Sequence, residues 1–290
     1  MRAFPLLLAT LLISSRTLAN AAPQALSSAH DPLAFGPDHV SAGVLASGRH
    51  GMVVSAQHLA SDAGAKILAQ GGNAVDAAVA VGYALAVVYP AAGNIGGGGF
   101  MTLRLKTGQT LFIDFREHAP GAATATMYQD ASGKVIPGLS TEGWKAVAIP
   151  GTVAGLDSIL QKWGRLSRAK VMAPAIALAR DGFILNQGDA DLLHTSTRYF
   201  QKDPYARAFY LRPDGTPLQA GDRLVQKDLA NSLELVAKEG PRAFYEGPIA
   251  KEIVRASTEG GGLLQPADFT SYHIRQLEPI RCTYRGYTID

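Results

Sequence analysis

Residues 71–100 read GGNAVDAAVAVGYALAVVYPAAGNIGGGGF, and from Ala74 to Val88 apolar side chains fall on nearly every face of a helix. Such a helix is buried all round, in the middle of a domain, and the rest of the chain has to pack about it. It is too short and too rich in alanine for a membrane span, which needs about 20 apolar residues. Asn73 opens it, with Asp76 three positions on, a pair that satisfies two otherwise orphan donors at a helix start. Pro90 stops it. Just upstream, Ala60, Ala63, Gly64, Ile67 and Leu68 follow helical spacing. Gly71 and Gly72 end that helix as a left-handed cap.

The four glycines Gly96–Gly99 follow a helix and precede a strand. A phosphate-cradling loop runs the other way, from strand to helix N-terminus, so no nucleotide site is expected. Two readings are open: close backbone packing beneath the buried helix, or a backbone surface lining an active site. Next, FMTLRL and LFIDF read as a hairpin turning through Lys106-Thr107-Gly108-Gln109. Arg116 follows its second strand, where a sheet fixes a side chain and a loop exposes it. A guanidinium matches a carboxylate through two parallel hydrogen bonds. The alternative is an ordinary surface network with Asp114 or Glu117. His118 reads either as a general base or as a plain hydrogen-bonding residue.

A short strand is expected near Gly51–Ser55 and another near Ala146–Ala148. PGTVAGLDSILQKWG predicts a helix capped by Thr152 with Val153, Leu156, Ile159 and Leu160 inward. RAKVMAPAIALARDGFILN predicts a second, with Val171, Ala175, Leu178 and Ala179 inward and a stop at Asp181-Gly182. Residues 187–208 read as polar and mostly helical. DRLVQKDLANSLELVAKEG and EGPIAKEIVRASTEGGG predict two amphipathic helices, each closed by glycine. LEPIRCTYRGYTID alternates like a strand. It ends at Asp290 in mid-strand with no polar tail, as a chain cut short would.

Of the 290 residues, 47% are hydrophobic and 18% charged, a balance that supports a large buried core. The net charge of +3 comes without any basic cluster, which argues against nucleic-acid binding. The seven histidines show no ligand spacing, so no metal is expected. No Gly-x-Ser-x-Gly elbow occurs. At the N-terminus, Arg2, the apolar run Ala3–Ile13 and the small-residue site Ala19-Asn20-Ala21 make the three-part pattern of a secretory signal, residues 1–21. A buried N-terminal helix is the other reading. Residues 22–50 read as a flexible leader. Export to the periplasm or beyond is expected, with no membrane attachment after signal removal. The single cysteine, Cys282, then leaves core burial and not cross-linking to hold the fold.

Taken together, the stretch from Gly51 to Met101, "DFREHAP", "PGTVAG", "ALARDGF" and "PIRCTYRGY" resemble the large-subunit portion of bacterial gamma-glutamyltransferases (glutathione hydrolases). The related cephalosporin-type acylases share parts of the pattern. The resemblance implies an α/β (α+β) fold, a four-layer αββα sandwich of the N-terminal-nucleophile hydrolases. Residues 51–290 would supply only its N-terminal half. It implies γ-glutamyl transfer and glutathione hydrolysis through an ester on a threonine whose own α-amine serves as base. That threonine is freed when the precursor cleaves itself, and no cofactor is needed. Arg116 matches the family arginine that grips the donor's α-carboxylate, with Asp114 and Glu117 placed to hold its fork.

The family's nucleophilic threonine opens a Thr-Thr-His-type segment well downstream of YRGY, and no threonine here matches it. No catalytic residue is therefore expected in this chain, and the small subunit of the same precursor would be its partner. The chain reads as a partial sequence of a longer enzyme or as a truncated product; the first is preferred because nothing in residues 51–287 looks decayed. Three functions remain in play: a gamma-glutamyltransferase acting on donors such as glutathione, a glutaryl or cephalosporin-type acylase, and a non-catalytic binding fragment.

Overall fold

The computed structural model describes residues 47–290, of which Gly48–Asp290 form one compact unit. The expected signal peptide and nearly all of the leader lie outside the described residues. Helices α1 (His58–Ala69) and α2 (Ala74–Val88) are followed by strands β1 (Phe100–Arg104) and β2 (Thr110–Asp114). Helices α3 (Thr152–Trp163) and α4 (Arg168–Asp181) come next, then β3 (Phe183–Ile184). Three short helices follow: α5 (Gln187–His194), α6 (Thr197–Phe200) and α7 (Pro204–Tyr210). After β4 (Arg223–Leu224) come α8 (Lys227–Glu239), α9 (Pro241–Tyr245), α10 (Pro248–Glu259) and α11 (Pro266–Thr270). The chain closes with β5 (Arg275–Leu277), β6 (Cys282–Tyr284) and β7 (Tyr287–Ile289).

Helix α2 is the centre of the helical layer, packed on α1, α3 and α4. Val75, Val79, Ala80, Tyr83, Ala84 and Val87 are all buried. Burial is not complete, however: Ala74 and Ala78 face outward. The expected capping box is present. Asn73 Oδ1 accepts from the amides of Val75 (2.9 Å) and Asp76 (3.0 Å), and Asp76 accepts from Asn73 N–H at 2.7 Å. The Asp76 carboxylate, fully buried, also takes the amides of Arg165 and Leu166 between α3 and α4. One side chain thus fixes where three helices meet. Gly71 caps α1 with φ +90°, a conformation that costs glycine nothing.

The sheet that positions the site has three antiparallel strands in the order β1-β2-β5. Met101, Leu103, Leu111 and Ile113 share the face that packs into the hydrophobic core. The opposite face carries Phe100, Thr102, Phe112, Asp114, Arg275 and Leu277. Phe100 and Leu277 there are 52% and 44% exposed, so this face has no apolar cover among the described residues. Phe100 and Phe112 stack with ring centroids 5.6 Å apart.

Several expectations differ from the structure. Residues 51–55 form no strand: Met52 and Val54 point outward, as alternation predicts, yet no neighbouring backbone pairs with them among the described residues. Near residue 146 there is a single 3-10 turn, Trp144–Ala146, and then one bridge between Ile149 and His118. The bridge does not grow into a ladder, because Gly151 N–H goes to the Gly97 carbonyl and Pro120, on the other side, has no N–H to give. Helix α3 is capped by Gly151 and not by Thr152, whose hydroxyl donates to Asn94 Oδ1 at 3.2 Å. The closing segment is a hairpin, β6 with β7, because Arg285 and Gly286 both take positive φ (50° and 83°) and reverse the chain.

Candidate functional site

The glycine run and the segment Phe115–His118 are built against each other. Gly99 and Phe115 exchange both backbone hydrogen bonds (3.3 and 3.0 Å), which extends the β1–β2 ladder. A Cβ added at Gly98 would lie 2.6 Å from the Phe115 carbonyl oxygen and 2.9 Å from Arg116 Cα. The Gly97 carbonyl accepts from Gly151 N–H (2.7 Å) and Thr152 N–H (3.0 Å) at the start of α3. His118 and Ile149 likewise exchange amide hydrogen bonds (3.1 and 2.8 Å). Residues 115–118 therefore run between two backbone walls. The close-packing reading holds for Gly98 and Gly99, except that they pack against the strand end that carries Arg116 and not beneath α2.

Arg116 is held by its backbone, while its guanidinium has no hydrogen-bond or ion-pair partner among the described residues. Its amide donates to Asp114 Oδ1 at 2.9 Å. Its carbonyl accepts from the Tyr272 hydroxyl at 2.9 Å. The guanidinium carbon sits 6.0 Å from the centroid of the Phe100 ring. Among the described residues no carboxylate forms an ion pair with it. The expected pairing of the fork with Asp114 is thus replaced. Asp114 binds the amide of Arg116, while its carboxylate pairs with Arg275 of β5. Glu117 makes no ion pair among the described residues either. A fixed backbone with a guanidinium that has no ion-pair partner among the described residues is suited to taking a planar anion in two parallel hydrogen bonds.

Burial alone would raise the pKa of Asp114, but the Arg116 amide and the Arg275 guanidinium outweigh it and hold the carboxyl below its usual range. A depressed folded-state value adds stability above the unfolded pKa and loses it as pH falls through the folded one. The Tm gap between the wild type and Asp114→Asn is therefore expected to be widest near pH 7 and to shrink below about pH 4. A gap that stays constant down to about pH 3 would show that this charge does not tie β2 to β5.

His118 packs between Tyr272 (4.7 Å between ring centroids) and His273 (5.9 Å). Tyr272 stacks on Tyr245 at 5.5 Å with the rings 10° apart. Burial, then the charges of Asp114 and Glu117, push the Tyr272 phenol up to about 12, so it stays a donor at neutral pH. Tyr272 and Arg275 were not legible as site residues. They contact Arg116 and Asp114 across 156 and 161 positions, with no local motif to mark them.

Among the described residues no three His, Cys, Asp or Glu side chains gather as metal ligands. No helix among them is long and apolar enough to cross a membrane. A groove of about 890 Å³, lined by Lys66, Lys170, Pro174 and Ala237 among others, lies on the outside of α4, and none of the residues around Arg116 lines it.

A family model described as gamma-glutamyltranspeptidase matches residues 60–290. The glutathione hydrolase proenzyme of Pseudomonas sp. (strain A14) is 51% identical over 87% of this chain and 44% of its own length. The acylase ACY 1 proenzyme of Pseudomonas sp. (strain SE83) is 44% identical over 84% of this chain and 45% of its own length. The crystal structure of Helicobacter pylori gamma-glutamyltranspeptidase superposes with a TM-score of 0.82 at 41% identity, covering 84% of this chain and 70% of that one. The chain thus spans less than half the length of the curated relatives it matches.

Proposed function

Because the chain belongs to the gamma-glutamyltranspeptidase family, we propose that it forms the large-subunit portion of an exported enzyme that transfers γ-glutamyl groups and hydrolyses glutathione. The observation that carries this reading is Arg116: an anchored backbone and a guanidinium with no ion-pair partner among the described residues, beside an open sheet face. Its fork takes the donor's α-carboxylate and so orients the γ-amide at the other end of the molecule.

In this reading a second subunit from the same precursor supplies the nucleophile. A threonine Oγ attacks the γ-carbonyl carbon and its proton passes to the threonine's own α-amine. The C–N bond breaks, that proton goes to the leaving amine, and a γ-glutamyl ester remains. Water or an amino acid's amine then attacks the ester and frees the threonine. The uncovered face of β1-β2-β5, with Phe100, Phe112 and Leu277, is where a second sheet would complete a four-layer αββα sandwich. The proenzyme relatives and the share of their length matched support that arrangement.

The acylase relative keeps a second reading in view. A glutaryl group keeps the carboxylate of a γ-glutamyl group and lacks only the α-amine, so Arg116 serves both. Comparing γ-glutamyl and glutaryl anilides on the mature two-subunit enzyme separates them. A clear kcat/KM preference for the γ-glutamyl anilide is expected. Preference for the glutaryl compound would assign the chain to the acylases, and turnover of neither would sink both.

A further inference from the structure

The proposed role of Arg116 leaves unexplained why the segment between α11 and β5 grips its backbone. The Tyr272 hydroxyl donates to the Arg116 carbonyl at 2.9 Å. Behind it, the ring stacks on Tyr245, which is itself pinned. The Tyr245 hydroxyl donates to the Pro150 carbonyl at 2.8 Å and accepts from Ala154 N–H at 3.2 Å. Gly151 leaves the gap that admits the Tyr272 hydroxyl: a Cβ there would fall 2.1 Å from that oxygen and 1.9 Å from the Phe115 carbonyl oxygen. A line of fixed groups therefore runs from the first turn of α3, through Tyr245 and Tyr272, to Arg116. On its other side the Arg116 amide is fixed by Asp114, which Arg275 holds.

The guanidinium is reached through a flexible stem, and a fork aimed even slightly off its target loses binding. Fixing the backbone at both its N–H and its C=O removes one source of that error. We infer that Tyr272 is a positioning residue for donor binding, acting through Arg116 by holding the backbone from which its fork reaches the carboxylate. This rests on the proposed role of Arg116.

Tyr272→Phe removes the hydroxyl and keeps the stack on Tyr245. In the mature two-subunit enzyme it is expected to raise the γ-glutamyl anilide KM about three- to tenfold with kcat little changed. In an Arg116→Ala background the same substitution should move KM no further, since its effect passes through the missing side chain. With a 4-aminobutyryl anilide, which lacks the carboxylate, kcat/KM should be the same with and without the hydroxyl. The melting temperature should fall by no more than about 4 °C. If Arg116→Ala raises KM and Tyr272→Phe does not, the inference fails and the role of Arg116 stands. If Arg116→Ala itself leaves KM unmoved, the role of Arg116 fails and the inference with it. A Tyr272→Phe protein impaired equally on both anilides, or melting much lower with its donor KM unmoved, shows a merely structural tyrosine and overturns the inference.

Discussion

Arg116→Lys is expected to raise the KM for a γ-glutamyl donor about 10- to 150-fold in the mature enzyme, with kcat far less affected. The magnitude follows from losing one charge-assisted hydrogen bond, about 1.5–3 kcal/mol. Lysine keeps the charge and loses the fork. Its ammonium is a point charge that cannot make two parallel bonds to one carboxylate. The fold should not notice, because the guanidinium has no ion-pair partner among the described residues and its backbone contacts do not depend on the side chain. A Tm close to wild type together with the raised KM is the expected pair of results. An unchanged KM would remove Arg116 from the site.

The second large effect comes from the glycine run, and it differs within four positions. Gly98→Ala places a methyl group against the backbone of Phe115, Arg116 and Glu117, at 2.6–2.9 Å from atoms that cannot rotate away. Overpacking against backbone is expected to cost about 3 kcal/mol, or a Tm drop of about 6–12 °C. Gly96→Ala meets nothing within 4 Å. It should stay within about 0.5 kcal/mol of wild type. Parallel thermal melts of the two variants check this. Equal losses at both positions would mean that the run is needed for flexibility and not for the close approach of Gly98 to the Arg116 backbone.

These two sites show where sequence reading succeeds and where it stops. The start of α2 and the stops of α1, α8 and α10 were legible because their signals are local: Asn73 with Asp76 at the start, and Gly71, Gly240 and Gly260 at the stops. The β1–β2 hairpin was legible for the same reason, with Gly108 at φ +88° in its turn. The start of α8 was not, since Arg223-Leu224 of the stretch expected to be helical pairs with β3 as β4. Strands that need a distant partner were not. Residues 51–55 alternate correctly and still have nothing to pair with among the described residues, whereas β5 finds β2 from far along the chain.

The site divides the same way. Arg116 was singled out by its place after a strand and by a family resemblance. What it binds locally is not readable from sequence, because Asp114 is drawn to Arg275 by a contact that only the fold creates. Tyr272 and Tyr245 carried no mark in the sequence, since a tyrosine hydroxyl on a backbone carbonyl leaves no spacing pattern, and Gly151 stood out only as part of PGTVAG at a helix start. Their arrangement depends on a glycine that is legible only once the neighbours of its missing side chain are known.

The most direct measurement is a crystal structure of the mature enzyme with glutamate bound. Both α-carboxylate oxygens should lie about 2.7–2.9 Å from two guanidinium nitrogens of Arg116, with Tyr272 still on the arginine's carbonyl. An Arg116 side chain turned away, and a carboxylate anchored by other groups, would contradict the account.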